Sequence, residues 1–210
     1  MRQTALTLFL AASLATACGF LSEARAQSLV ERIGVQLGQY SVVRAEFAQA
    51  REMAALKRPL VTSGTLVFAR DKGVLWRIEA PYRITFALGA DQVAEIAADG
   101  STRRKHIRDV PALSQVGRIL RALFGGDTAV LRDVFEVTAT GDGMRWELEL
   151  QPHRPEISQR LARVRLSGGQ FINRVVVEEA NGDRTDMRLR NMRADTGLTA
   201  AELSFLGATP

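Results

Sequence analysis

Alternation with a period of two constrains this chain more than any other feature. Val74, Trp76 and Ile78 fall on one side of an extended segment, with Arg77 and Glu79 on the other. Leu66 and Phe68 repeat the pattern, as do Ile84, Phe86 and Leu88. Met144, Trp146, Leu148 and Leu150 are opposed by Arg145, Glu147 and Glu149, and Ala162, Val164 and Leu166 by Arg163 and Arg165. Met187 and Leu189 alternate with Arg188 and Arg190. Successive side chains of a strand point to opposite sides, so each segment predicts a strand with one apolar and one wet face. Antiparallel sheets carry this signature. Between the runs stand Asp71-Lys72-Gly73, Asp99-Gly100, Gly141-Asp142-Gly143, Gly168-Gly169 and Asn181-Gly182, which are tight-turn signals for hairpins.

Three segments depart from that period. Ser28 to Tyr40 predicts a short helix, with Ser28 as its cap and Leu29, Ile33 and Leu37 spaced by four. Pro111 to Phe124 places Leu113, Val116, Ile119, Leu120, Leu123 and Phe124 on one helical stripe, with Gly125-Gly126 as its stop. Thr128 to Arg132 predicts a further short helix.

About ten strands with one apolar face each bury those faces by curling until they meet. The expected fold is mainly β with some α: a curved antiparallel sheet forming an unclosed barrel, with helices in its apolar mouth. Two roles fit the 111–124 helix. It is a fixed plug, or a lid that yields to an apolar guest.

The first 26 residues read as a cleaved secretory signal peptide. Arg2 supplies a basic start, Ala5 to Ala17 an apolar run, and Ala24-Arg25-Ala26 the small residues of a cleavage site. The run is too short for a comfortable membrane span. A lipid anchor at Cys18 is disfavoured, because Ala15 stands where a lipoprotein box has a large aliphatic residue. Residues 27–210 then form a single periplasmic domain without cysteine, which excludes a disulfide or a thiolate ligand. A net charge of +5, nearly all its cations arginine, fits a solvated sheet face with weak attraction to anionic lipid. No nucleic-acid recognition motif accompanies that charge.

Chemistry-bearing constellations are missing from the sequence. His106 lies in an Arg-Arg-Lys-His run and His153 between Pro152 and Pro155, both read as surface residues. Neither has metal-ligand spacing, and no Gly-x-Ser-x-Gly elbow occurs. Neighbouring Glu178 and Glu179 face opposite sides of a strand and make no dyad. The expectation is a binding protein without cofactor or metal, not an enzyme.

Phe47-Ala48-Gln49, then Ser63 to Arg70, then Leu75-Trp76-Arg77 with Pro81, resemble the periplasmic lipoprotein carrier family LolA. Asp99-Gly100, Trp146 to Pro152, Asn181 to Thr185 with Leu189-Arg190-Asn191, and Phe205 as a last strand continue the likeness in order. Asp71 stands where the family has proline, Val74-Leu75 where it has Phe-Arg, and Ser101 to Lys105 where it has aromatic residues, as in a divergent member. The resemblance implies a LolA-like domain at residues 27–210, working as a monomer. Acylated lipoprotein or lipid, including a lipid-linked pigment, is the implied cargo, taken from an inner-membrane exporter to an outer-membrane acceptor. It implies that Arg70 helps hold the lid. The expected lining is Phe47, Leu66, Phe68, Trp76, Ile78, Phe86, Leu88, Trp146 and Leu148 on strands, with Val116, Ile119, Leu120, Leu123 and Phe124 on the lid. The alternative is a plugged barrel serving as a protein-interaction or envelope assembly factor.

Overall fold

Among the described residues, eleven strands pair antiparallel with their neighbours in one sheet. The computed structural model describes residues 29–109, 119 and 122–207. The expected signal peptide, the cap Ser28, and Val116 and Leu120 of the expected lid lie outside the described residues. The strands are β1 (Val42–Glu52), β2 (Leu60–Ala69), β3 (Gly73–Ala80), β4 (Ile84–Leu88), β5 (Gln92–Ala97) and β6 (Thr102–His106). They continue with β7 (Phe135–Gly141), β8 (Trp146–Pro152), β9 (Leu161–Gly168), β10 (Ile172–Glu179) and β11 (Arg184–Asp195). Their spatial order is β6-β5-β4-β3-β2-β1-β11-β10-β9-β8-β7. The first and last strands of this order do not pair, so the sheet curves without closing. Edge strand β6 presents exposed Arg103, Arg104, Lys105 and His106. Charge on an edge opposes its pairing with another chain.

Helix α1 covers residues 29–38 and buries Leu29, Val30, Ile33 and Leu37 on one stripe. Residues 119 and 122–125 are helical and form α2, the end of the expected 111–124 helix. Helix α3 (Thr128–Arg132) is capped by Asp127, whose carboxylate accepts the Val130 N–H at 3.1 Å. Two short helices, α4 (Pro155–Ser158) and α5 (Ala200–Phe205), complete the set.

The inward faces of the strands and the apolar sides of α1, α2 and α3 form one continuous core. Phe68, Phe135, Leu150 and Leu166 are among its most deeply buried side chains. A second cluster lies on the other face of the sheet. Leu75, Ala87, Ala94 and Ile96 of β3 to β5 pack there against Leu206, with Phe205 and Leu198 at its margin. This corrects two expectations. The outer face of β3 to β5 is apolar, and Phe205 belongs to a helix rather than a final strand.

Met144 also departs from its expected place. The Asp142 carboxylate accepts the backbone N–H groups of Met144 (2.7 Å) and Arg145 (2.9 Å), which closes a local turn. Strand β8 therefore starts at Trp146, and Met144 is exposed.

Helix α5 is held by charge as well as by apolar contact. Thr199 and Glu202 form a reciprocal capping box. Arg44 of β1 donates to both Glu202 carboxylate oxygens (2.5 and 3.0 Å) and to Asp195 (2.7 Å). These hydrogen bonds from Arg44 outweigh the effect of burial and hold the Glu202 carboxyl down to about 2, from an ordinary 4.5. The folded-state value lies below the unfolded one. The stabilisation is therefore present in full above about pH 4.5 and is lost as the pH falls toward 2. Urea titrations across that range should show wild type losing on the order of 2 kcal/mol more than Glu202→Gln.

Candidate functional site

The concave face of the sheet is the one large apolar surface that the strands build together. Phe47 on β1, Leu66 and Phe68 on β2, Ile78 on β3 and Leu88 on β4 are buried in it. Trp146 and Leu148 on β8 are buried in the same cluster, and Trp76 and Phe86 are partly buried there. Leu123 and Phe124 of α2 are buried against these strands, with Ile119 partly so. All the expected lining residues within the described parts of the chain thus meet in one place. Alternation brings this about, because every second residue of adjacent strands shares a face.

Aromatic contacts tie the helices to the sheet. Phe68 stacks on Phe124 of α2 with ring centres 5.5 Å apart and planes 29° apart. Phe47 meets the edge of Trp76 at 5.8 Å and 82°. At the rim, Arg70 donates to the carbonyl of Tyr40 at 2.9 Å, just beyond α1. A Cβ at Gly125, next to Phe124, would stand 3.8 Å from Arg70 Cγ. Arg70 therefore lies between the ends of both helices.

The helices touch each other backbone to backbone. A Cβ on Gly34 of α1 would stand 2.8 Å from the carbonyl oxygen of Gly126, and one on Gly38 would stand 2.9 Å from that of Gly125. Gly126 has φ +69° and would place a Cβ only 1.9 Å from the Gly34 oxygen. Sequence reading identified Gly125-Gly126 as a helix stop but missed the partner glycines. Their spacing of four, which puts both on one side of α1, was the available signal.

Among the described residues, a small apolar cavity of about 10 Å³ lies between Ile33, Leu37, Leu123, Leu131, Trp146 and Leu166. That is room for about one water molecule. Two polar atoms on the concave side of β2 and β3 are buried without a partner: the indole Nε1 of Trp76 and the hydroxyl of Thr62. A buried donor left unpaired costs about 1–3 kcal/mol.

Titratable groups stand elsewhere. His106 and His153 are exposed. Among the described residues, no group of three His, Cys, Asp or Glu side chains is placed to hold a metal ion. The ion pairs of Arg163 and Arg165 with Glu178, and of Arg174 with Asp186, lie on β9, β10 and β11.

An unclosed antiparallel barrel with helices filling its mouth is the architecture these observations define. The chain belongs to the LolA-like family of outer membrane lipoprotein carrier proteins, whose sequence model matches residues 23–202. No curated protein matches it. Among solved structures, it is similar to a LolA superfamily protein from Nitrosomonas europaea. The two are 11% identical over 82% of this chain and 94% of that one, with a TM-score of 0.46. A DUF1329 family protein from Desulfovibrio piger is 14% identical over 86% and 96%, with a TM-score of 0.44. A chain of the Pseudomonas aeruginosa MucA/MucB complex is 11% identical over 85% and 60%, with a TM-score of 0.44.

The glycine seam makes a direct test of how α1 and α2 sit together. Gly126→Ala should lower the urea midpoint by an amount equivalent to about 2 kcal/mol or more, through a strained φ and a steric clash. Gly143→Ala is the control: nothing lies within 4 Å of a Cβ there, and the change should stay within about 0.5 kcal/mol.

Proposed function

We propose that this protein is a periplasmic carrier that shelters acyl chains of lipoproteins or lipids between its concave sheet and its helices. It is exported by a signal peptide over residues 1–26, receives cargo from an inner-membrane exporter and delivers it to an outer-membrane acceptor. The observation that carries this reading is how the interior is divided. The larger part of its buried apolar side chains belongs to a hydrogen-bonded sheet, and the rest to short helices seated by apolar contact and a glycine seam. Moving α2 exposes the sheet face without breaking a single strand ladder.

Energetics favour such an exchange. Burying a methylene is worth about 0.8 kcal/mol, so a chain of ~15 methylenes offers ~12 kcal/mol gross. That exceeds the contacts of two buried α2 side chains, Leu123 and Phe124, at about 1.5–3 kcal/mol each. The unpaired Trp76 N–H supplies a polar handle for the carbonyl of an ester or amide linkage. Arg70, placed against Tyr40 and Gly125, holds the closed position until cargo arrives. The remaining lining residues act by shape and apolarity, and no catalytic step is assigned to any of them.

A second reading is favoured by the 10 Å³ cavity: a permanently plugged barrel that serves as a protein-interaction or assembly factor. Titration of the delipidated chain with a dansylated fatty acid separates the two. The carrier reading expects saturable uptake, with Trp76→Phe binding about two- to tenfold more weakly while its far-ultraviolet spectrum stays that of wild type. Absence of saturable uptake, together with native mass spectra free of bound lipid, would leave the plugged barrel.

A further inference from the structure

One end of the sheet carries apolar side chains that the core does not explain. Four of the six large apolar side chains exposed among the described residues are Leu56 (49%), Leu60 (38%), Val61 (61%) and Tyr82 (51%). The first three fall in one run, Ala54 to Val61, in which every residue is exposed. Register explains how they come to be bare. Leu60, Val61 and Thr62 pair with Arg51, Ala50 and Gln49 of β1, whereas β3 stops at the pair of Ala80 with Ser63. On the β3 side, the β1–β2 hairpin runs three residues, or about 10 Å, past its neighbour. Val61 and Leu60 point to opposite sides of that projecting strand, and both find solvent. The turn after β3, with Tyr82, lies at the same end.

Charge at this end is arranged around the apolar tip. Lys57 and Arg58 sit between Leu56 and Leu60, and Arg83 follows Tyr82; all three are exposed. Two carboxylates of the adjoining β10–β11 hairpin are already committed, because Arg51 pairs with Glu179 at 2.8 Å and with Asp183 at 3.5 Å. Asp183 also accepts the N–H of Ala54 at 3.2 Å, which anchors the base of the loop to that hairpin. The tip is therefore an anchored projection with an apolar point, around which exposed Lys57, Arg58 and Arg83 outnumber the exposed carboxylates Glu52 and Glu79.

We infer that this hairpin tip docks the protein on the surface of an anionic lipid bilayer. Leu56, Leu60 and Val61 enter the boundary between headgroups and acyl chains, while Lys57, Arg58 and Arg83 meet the headgroup phosphates. Apolar side chains beside cations are what an anionic membrane interface holds best, since burial and electrostatic attraction act together. A protein partner fits the shape less well. A stable protein interface draws on about 20–30 residues a side over a broad surface, and this tip is a narrow run of eight. Docking places the sheet end that contains β2 and β3 next to the membrane, beside the concave interior.

Cosedimentation tests the inference. The purified chain should pellet with vesicles of phosphatidylethanolamine and phosphatidylglycerol, pellet weakly with phosphatidylcholine alone, and come off as salt rises. Leu56→Ser with Val61→Ser, and separately Lys57→Glu with Arg58→Glu, should each cut the bound fraction roughly tenfold. All four side chains are exposed, so the variants should keep the wild-type far-ultraviolet spectrum. Leu56→Trp should shift its emission to the blue on anionic vesicles. Wild type that stays in the supernatant, that self-associates through these residues instead, or that pellets no better than its variants overturns the inference. Fatty-acid uptake is read without a bilayer, so the carrier reading stands or falls separately.

Discussion

A sheet that is apolar on its concave side and does not close on itself leaves a large greasy surface facing a gap. Water in that gap is costly, at about 25 cal/mol for each Å² of apolar surface. Everything else in the fold answers that constraint. Helices α1, α2 and α3 fill the mouth with Leu29, Ile33, Leu37, Leu123, Phe124 and Leu131, and these join the strand side chains in one cluster. Among the described residues, the cavity where α1, α2 and α3 meet the strands measures about 10 Å³. Yet the helices share no ladder with the strands. Their seat is made of side-chain contacts, glycine backbone approach and a few rim hydrogen bonds.

The opposite face shows a different solution to the same problem. Leu75, Ala94 and Ile96 make the outside of β3 to β5 apolar, and α5 covers them. Here the cover is fastened by Arg44, which bridges β1 to both Glu202 and Asp195. Hydrogen bonds to a charged partner are stronger than neutral ones. Their strength makes α5 a fixed part of the wall, in contrast to the helices in the mouth. The molecule thus combines one clamped cover with one that rests on apolar contact.

The ends of the sheet are managed by charge. Edge strand β6 is a run of exposed cations, which discourages edge pairing. The β1–β2 hairpin projects past β3 with bare aliphatic residues at its tip, bracketed by lysine and arginine.

Much of the fold was legible in the sequence because alternation is local. Trp76, Ile78, Phe86, Leu88, Trp146 and Leu148 were assigned to one inward face from spacing alone, and they share one core. Turn signals such as Asn181-Gly182 and Asp99-Gly100 sit where hairpins reverse. The helix at Thr128 to Arg132 stands where its pattern placed it. One misreading arose where a local pattern continued past its element. Met144 extends the alternation of β8, but an Asp142 turn removes it from the strand. Phe205 was expected on a strand from the family resemblance alone, but the Thr199 capping box starts a helix before it.

By itself, the order of residues determined which side chains share the concave face, where most of the chain turns and that the product is an antiparallel sheet. These follow from backbone geometry within a few residues. Only the tertiary structure decided what covers each face, that Gly34 and Gly38 meet Gly125 and Gly126, and that Arg44 finds Glu202. It also decided that the β1–β2 hairpin outruns β3. Each of these depends on strand register and on contacts between distant segments, which local periodicity does not encode.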